Sequence, residues 1–221
     1  MMKRIATALA AGVAVFACAA EARADTRNLE GYVTHASTVN DSSVHGYVLM
    51  HLRSNGTWAG WAYVKLYVGP AGVVQPMSTA LARRMLQLVA TPNRYVQFLS
   101  VFYDASYPSD CYAHAGSLAD VSALTSVAVH WGSTSGTLRR IQLFTNPWNH
   151  GLLQFTRTDG VIVTVSFIKV SQAGRNPMTD LDLDRTLGLL CQPWTDLHLT
   201  TLAGANASLL MHRDSSIDVY R

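Results

Sequence analysis

Two loops rich in tryptophan and asparagine carry the side chains whose chemistry is easiest to read, and that chemistry is ligand binding. Trp58 follows Asn55 at an Asn-Gly turn, and Trp148 lies between Asn146 and Asn149. Indole rings stack on sugar faces, and side-chain amides hydrogen-bond to hydroxyl groups. We therefore predict that these five residues bind a ligand, with core packing as the alternative use of each indole. That packed role is the one we favour for two further tryptophans, Trp61 and Trp131.

No catalytic motif is recognisable. The sequence lacks a Gly-x-Ser-x-Gly elbow, a Walker loop, a His-Glu-x-x-His motif and a Gly-x-Gly-x-x-Gly motif. Cys111 and His114 are a conceivable nucleophile and base, but a cysteine in an exported protein is more often disulfide-bonded. We predict no catalytic residue and no cofactor. The alternative is a secreted hydrolase with an unrecognised active site at a domain interface.

Metal binding is not predicted either. Asp180, Asp182 and Asp184 alternate with Leu181 and Leu183, whereas a calcium loop needs polar spacing residues and a turn-making glycine. The three acids suit the first turns of a helix, where the helix dipole favours negative charge. The histidines are scattered along the chain, and a single strand histidine is usually a surface or core residue.

The elements that must position these residues are written twice in the sequence. Residues 76–92 and 177–193 both read as an amphipathic helix that starts at Pro-Met and ends before a proline. In the first copy Ser78 or Thr79 is the predicted N-cap, and Arg83, Arg84 and Gln87 fall off the apolar stripe. In the second copy Thr179 is the predicted N-cap.

Matches upstream of the helices extend this internal repeat. His45-Gly46 corresponds to His150-Gly151, and residues 63–66 correspond to residues 167–170. An ordered series over roughly a hundred residues indicates a duplicated domain rather than a solenoid unit. Alternating apolar residues around each helix predict a mainly β fold, α+β in class, of two tandem domains with the order β-β-β-α-β-β. The predicted domains are residues 25–131 and 137–221, joined by a linker at residues 132–136.

The N-terminus is predicted to direct export. Lys3 and Arg4 precede an apolar segment, and Ala22-Arg23-Ala24 is a small-x-small cleavage site, so residues 1–24 read as a signal peptide. Lipidation at Cys18 is the less favoured alternative. Cleavage after residue 24 lowers the net charge from +3 to +1 (17 − 3 basic against 14 − 1 acidic residues). This charge argues against a nucleic-acid partner, and no later segment reads as a transmembrane span.

Two cysteines, Cys111 and Cys191, lie beyond the predicted signal peptide. An even number of cysteines in an exported protein favours a disulfide, which here would join the two domains. Two buried thiols are the alternative.

The order of three strands, a helix and two strands, with the run from Leu81 through Pro92 into residues 95–98, resembles the B-subunits of AB5 bacterial toxins. These subunits have an oligonucleotide/oligosaccharide-binding (OB) barrel. The resemblance implies a glycan-binding module that uses loops, and it adds the polar turn at Ser42 and Ser43 to the candidate site. It also implies a possible oligomer. Neither copy can form the intradomain disulfide common in that family, and here two domains are fused.

These features together predict an exported, non-enzymatic protein, secreted or periplasmic, that binds a glycan or a protein partner. A structural component of a secreted assembly is a third interpretation.

Overall fold

The structure is a computed structural model that describes most of the chain after the predicted signal peptide. It describes residues 26–39, 44–54, 57–68, 76–90, 95–104, 107–122, 124, 126–144, 146–192 and 195–220. The side chains of residues 54–59 and 104–110 are not described within these ranges. The predicted signal peptide, Ser42, Ser43, Asn55 and the side chain of Trp58 therefore lie outside the described part.

The first half of the chain forms a five-stranded barrel of the OB type. Its elements are β1 (Thr26–Thr38), β2 (Val44–Ser54), β3 (Thr57–Tyr67), α1 (Thr79–Val89), β4 (Tyr95–Asp104) and β5 (Tyr107–Ala113), followed by β6 (Leu118–Ser122). The strands are ordered β1-β2-β3-β5-β4, and β4 pairs with β1 to close the ring. β3 and β5 run parallel, and the other neighbours in the ring are antiparallel. The predicted mainly β, OB-like fold is confirmed at this level.

The second half builds a similar sheet from eight strands, two more than the first half. Its elements are β7 (Ala128–Trp131), β8 (Thr134–Leu143), β9 (Asn149–Arg157), β10 (Ile162–Ile168), α2 (Asp180–Leu190), β11 (Asp196–Thr200), β12 (Ala203–Ala205), β13 (Ser208–Met211) and β14 (Ser216–Tyr220). The order is β8-β9-β10-β13-β12, with β10 and β13 parallel. β7 lies between β8 and β11, and β14 covers the other side of β11.

The predicted linker at residues 132–136 is a β-hairpin instead. Trp131 pairs with Thr134, so Gly132 and Ser133 form the turn between β7 and β8, and residues 134–136 belong to β8. Gly132 has a φ of 57°, a conformation that glycine adopts without steric cost. The residues predicted to close the first domain pair with strands of the second sheet instead.

Both halves bring two strands together at a glycine. A Cβ on Gly31 would lie 2.1 Å from the backbone oxygen of His51, and one on Gly136 would lie 2.3 Å from that of Thr156. Two residues beyond each glycine the strand register shifts, between Val33 and His35 in β1 and between Leu138 and Arg140 in β8. β1 and β8 therefore bend at the same place relative to their neighbouring strands.

The strand registers give a different alignment of the two halves from the sequence match. Gly46 pairs with Leu66, and Gly151 pairs with Phe167, so an alignment on these two glycines places Leu66 with Phe167, three positions before the Val170 of the sequence match. The match of His45 with His150 agrees with the contacts, since His45 Nε2 lies 2.8 Å from the Met77 oxygen and His150 hydrogen-bonds to the Met178 backbone.

The two helices begin where the sequence predicts. The side chain of Ser78 accepts a hydrogen bond from Leu81 N, which caps α1. Thr179 caps α2 in a capping box, with Asp182 bound back to the Thr179 backbone. No helix among the described residues is long and apolar enough to cross a lipid bilayer.

A buried ion pair joins the helices and corrects the prediction that Arg84 lies off the packed face. Only 7% of the Arg84 side chain is exposed. Its Nε lies 2.7 Å from Asp184 Oδ1, and its Nη2 lies 2.9 Å from Asp180 Oδ1. Burial alone lowers the Arg84 pKa, but the bonds to the two carboxylates outweigh burial and raise it. Asp180 and Asp184 therefore hold the helices together, beyond any effect of the helix dipole.

The two halves are also joined by a strand pair, because β6 pairs with β8 in antiparallel register. Asp120 on β6 is buried there, 3.1 Å from Gln142 Nε2 and 3.6 Å from Arg140 Nη1. One hydrophobic core runs through both halves, with Phe98 and Phe155 fully buried.

The predicted disulfide is absent from the structure. Cys111 lies in β5, fully buried, where its Sγ accepts a hydrogen bond from Arg27 Nη2 at 3.0 Å. Cys191 lies at the C-cap of α2. Cys111 is buried and Cys191 is half-buried, and the connection between the two halves is made by β6, β8 and the Arg84 ion pair.

Candidate functional site

The predicted loop site at Trp148 is exposed, but its asparagines are occupied in part by the turn. Asn146 Oδ1 accepts hydrogen bonds from the backbone nitrogens of Trp148 at 2.6 Å and Asn149 at 3.1 Å. This turn holds the Trp148 side chain 61% exposed. Asn149 Oδ1 is buried without a hydrogen-bond partner in the described residues. The loop therefore offers one indole face, with no second aromatic ring described against it.

A larger aromatic surface lies on the outside of the first barrel, on β1, β2, β3 and β5. Inward positions of β2 and β3, such as Val48 and Val64, are fully buried, so alternate residues point outward. We name the outward set the aromatic face; it consists of Tyr32, His35, Tyr47, His51, Trp61, Tyr63, Tyr67 and Tyr112.

Ring contacts connect these residues in pairs across the strands. Tyr47 stacks on Tyr63 with centroids 4.6 Å apart, and His51 stacks on Trp61 at 4.7 Å. His35 contacts Tyr47 at 5.7 Å. The side chains therefore support one another in fixed orientations, which lowers the entropy lost when a ligand binds.

Charged groups sit among the rings. The Lys65 ammonium lies 5.5 Å from the centroid of Tyr63 and 5.3 Å from that of Tyr112. At the β4 side of the face, Tyr95 contacts Tyr32 at 5.7 Å. Burial raises the Tyr95 pKa, and a hydrogen bond with Glu30 raises it further. The Tyr95 hydroxyl therefore stays protonated and donates its proton to the Glu30 carboxylate.

Trp61 belongs to this surface, contrary to the prediction that it is packed in a core. It is 52% exposed, and Tyr32 is 43% exposed. Trp131, for which the same packed role was predicted, is partly buried against the core. The two tryptophans differ because Trp61 occupies an outward position of β3, between Gly60 and the buried Ala62.

The second sheet has the same strand register without the aromatic residues. The pair Tyr47–Lys65 corresponds to Leu152–Ser166, counted from the glycine pairs. The other corresponding positions are Leu49–Tyr63 with Gln154–Thr164, His51–Trp61 with Thr156–Ile162, and Tyr112 with Leu210. In place of stacked rings, Gln154 Nε2 donates a hydrogen bond to Thr164 Oγ1 at 2.9 Å. A sheet with this strand register therefore does not require aromatic residues at its outward positions.

Cys111 and His114 do not form the nucleophile and base that their spacing allows. His114 Nδ1 accepts a hydrogen bond from Gly116 N at 3.0 Å, so its Nε2 carries the proton and donates to the Ser100 oxygen at 3.0 Å. Burial lowers the His114 pKa, and the neutral ring is held by backbone on both sides. A turn of the same pattern follows β13, where Asp214 N donates to His212 Nδ1 at 3.3 Å. We assign His114 a structural role.

A histidine pair lies on the second sheet. His130 and His198 are opposite each other on β7 and β11 with ring centroids 4.6 Å apart. Tyr220 contacts His198 at 4.7 Å, and Asp196 Oδ1 lies 3.8 Å from His130 Nε2. Among the residues that the structure describes, no group of three or more histidine, cysteine, aspartate or glutamate side chains is arranged to hold a metal ion.

The aromatic face is a candidate surface that reasoning from the sequence missed. Its signal is aromatic residues at alternating positions, Tyr47 and His51 on β2 and Trp61, Tyr63 and Tyr67 on β3, interrupted by Leu49 and Lys65. Comparisons of the chain with family models, with curated proteins and with solved structures found no match.

Proposed function

We propose that this chain is a non-enzymatic binding protein whose first barrel binds a carbohydrate on the aromatic face. The observation that carries the proposal is the difference between the two sheets at equivalent positions. Tyr63, Trp61 and Tyr47 stand where the second sheet has Thr164, Ile162 and Leu152. Exposed aromatic side chains that the wall does not need are costly to solubility, and their presence favours a binding role.

The position of the face within the fold supports this proposal. OB barrels bind oligosaccharides and oligonucleotides on the surface of their second and third strands, and the aromatic face is centred on β2 and β3. Sugar rings stack on Trp61 and Tyr63, while the Lys65 ammonium supplies donors to sugar oxygens.

The charge of the face favours a carbohydrate over a nucleic acid. Binding to a phosphate backbone requires several lysine or arginine contacts. Lys65 is placed over two tyrosine rings, and Arg53, near Tyr95, is accompanied by Glu30. A single-stranded nucleic acid is therefore the competing ligand that the experiment must include, because stacking alone does not separate the two classes.

We also propose that the two halves are a tandem duplication of one OB-like domain. The supporting correspondences are the glycine contacts of Gly31 and Gly136, the bends two residues later, and the capped helices of eleven residues each. The β4–β6 register, with Tyr95 opposite Ser122, has its counterpart in the β11–β14 register, with Asp196 opposite Tyr220. On this proposal the second domain has kept the scaffold and carries different surface residues.

Export remains part of the proposal and rests on the sequence of residues 1–24. Trp148, with Asn146 and Asn149, is proposed as a second, smaller contact for the ligand, because its indole is the most exposed large apolar side chain described. A ligand that reaches both surfaces would have to be an oligosaccharide rather than a single sugar.

The test is a glycan array, followed by titration calorimetry with the glycan that gives the strongest signal. Tyr63→Thr and Trp61→Ile give the first barrel the residues that the second sheet has at the equivalent positions, so the fold should tolerate them. We expect each to weaken binding at least roughly five-fold, since a stacked ring contributes on the order of 1 kcal/mol. Ile162→Val in the second barrel is the matched control and should leave binding unchanged. An empty array, or equal binding by Tyr63→Thr, would reject the proposal; binding of single-stranded DNA with loss in Tyr63→Thr would reassign the ligand.

A further inference from the structure

Several strand edges have no neighbouring strand among the described residues; β12, which pairs with β13 alone, is one, and two others lie on β14 and β1. β14 pairs with β11 on one side only. In β1, residues 26–30 pair with β4 alone, residues 31–32 pair with both β2 and β4, and residues 35–38 pair with β2 alone. Open edges expose backbone donors and acceptors and are natural sites for pairing with another chain.

Inside the chain, the strands that correspond to these two edges pair with each other. β6 pairs with β4 as β14 pairs with β11, and β8 pairs with β9 as β1 pairs with β2. β6 and β8 pair antiparallel, with Asp120 opposite Gln142, Val121 opposite Ile141 and Ser122 opposite Arg140. The chain therefore already contains one example of the contact that its two open edges would make.

We propose that copies of this protein associate head to tail, with β14 of one copy added antiparallel to residues 35–38 of β1 in the next. The register of β6 on β8 places Asp218 opposite Ser37, Val219 opposite Ala36 and Tyr220 opposite His35. α1 contacts β1 and β6, and α2 contacts β14, so each strand of the proposed contact brings a helix with it.

The side chains at this contact match in chemistry those of the internal one. Asp120 is buried against a donor amide, Gln142, and a cation, Arg140. Asp218 is exposed in one copy and would meet the Ser37 hydroxyl and the His35 ring, both of which can donate a hydrogen bond. The carboxylate on the first strand thus finds donors on the second in both contacts.

The helices show why this association is weaker than the internal contact. At the internal junction Arg84 of α1 binds Asp180 and Asp184 of α2. At the contact between copies, Arg185 would occupy the position that Arg84 has at the internal junction, and Arg83 of the next copy would occupy the position of Asp184. Two arginines would then face each other, so the Arg84–Asp184 ion pair has no counterpart there. The association is therefore reversible and depends on protein concentration. Because the two edges differ, the contact is heterologous and builds rings or filaments rather than a two-fold dimer.

Sedimentation velocity of the purified protein over a wide concentration range tests this assembly. We expect the mean mass to rise with concentration, and two substitutions at the predicted Asp218–Ser37 pair to change it in opposite directions. Ser37→Lys places a cation opposite Asp218 and should tighten association, while Ser37→Asp places like charges together and should weaken it. Cross-strand pairs imply roughly two- to five-fold changes in Kd.

The register is tested by a charge exchange. Asp218→Lys added to Ser37→Asp should restore association, because it recreates an opposite pair across the predicted contact. Thr158→Asp, in an exposed hairpin turn, is the matched control and should leave the mass unchanged. Melting temperature checks that each variant is folded; should Ser37→Asp unfold, Ser37→Lys and Asp218→Lys retain the test. A protein that stays monomeric at every concentration would overturn the proposal, and so would association that ignores both positions.

Discussion

The Arg84 ion pair should contribute measurably to the stability of the joined barrels, and Arg84→Ala tests this. The substitution removes a side chain that is 7% exposed and that binds two carboxylates of the other helix. Removing one member of a fully buried pair costs about 3–5 kcal/mol. Asp184 is 30% exposed and Asp180 is 78% exposed, so both carboxylates regain water when Arg84 is removed. We therefore expect a smaller loss, about 2 kcal/mol, near the value of charged hydrogen bonds.

The assay is urea unfolding of the wild type and the variant, with thermal unfolding as a second measurement. A loss of this size corresponds to a decrease in melting temperature of about 4–8 °C for a chain of this length. Arg83→Ala is the matched control, because Arg83 binds the same Asp184 carboxylate with its own side chain 63% exposed. Its loss should be below about 1 kcal/mol.

A double-mutant cycle measures how much of the loss comes from the interaction between Arg84 and Asp184. Asp184→Ala combined with Arg84→Ala should cost clearly less than the sum of the two single changes, because the pair shares one interaction. Equal losses for Arg84→Ala and Arg83→Ala would refute the reasoning, since burial would then have no effect on the pair. Unfolding in two separate transitions in Arg84→Ala would instead show that the ion pair couples the two barrels.

Two further predictions concern pH and backbone contacts. Burial lowers the pKa of His150, as do Arg84 and Lys169, and burial also lowers that of His114. The unfolded chain takes up protons near pH 6.5 that the folded chain does not bind, so the free energy of unfolding should fall as the pH drops below 6.5. The fall should be less steep in His150→Gln. A free energy of unfolding that does not change between pH 7.5 and 5.5 would contradict this. Gly31→Ala should lose about 1–3 kcal/mol in urea unfolding, because its Cβ meets the His51 oxygen. Gly188→Ala in α2 should gain about 0.5–1 kcal/mol of stability, because the added Cβ would lie 3.7 Å from its nearest neighbouring atom, an ordinary contact distance. A gain in both variants would contradict the close contact at Gly31.

The helices and the three strands before each of them could be predicted from the sequence because local rules determine them, whereas β6, β12 and β13 lie outside the predicted order. Ser78 and Thr179 precede apolar positions at helical spacing, and both cap as expected. The alternation in β2 and β3 likewise predicts strands with one buried side. Arg84 could not be placed, because its burial depends on two carboxylates a hundred residues away that happen to face it across the helix pair.

Registers and surfaces escaped prediction for a related reason. The match of residues 63–66 with residues 167–170 relied on residue types alone, whereas the strand registers align the two halves on glycines that allow close backbone contact. Trp61 was expected to be packed, because a large apolar residue is buried more often than not. Its exposure becomes visible only once Ala62 and Val64 are known to point inward. For Ser42, Ser43, Asn55 and Trp58 the predicted roles remain predictions.

The two proposals meet at His35, which contacts Tyr47 in the aromatic face and lies at the open edge of β1. In the head-to-tail register, Tyr220 of the next copy lies opposite His35, and its ring extends the aromatic face across the junction. A long oligosaccharide would then contact several barrels at once, so assembly raises avidity without altering the affinity of one barrel. Ser37→Asp should therefore weaken binding to a glycan-coated surface while leaving calorimetric binding of a short oligosaccharide unchanged. Loss of both would place Ser37 in the binding site itself, and loss of neither would separate assembly from binding.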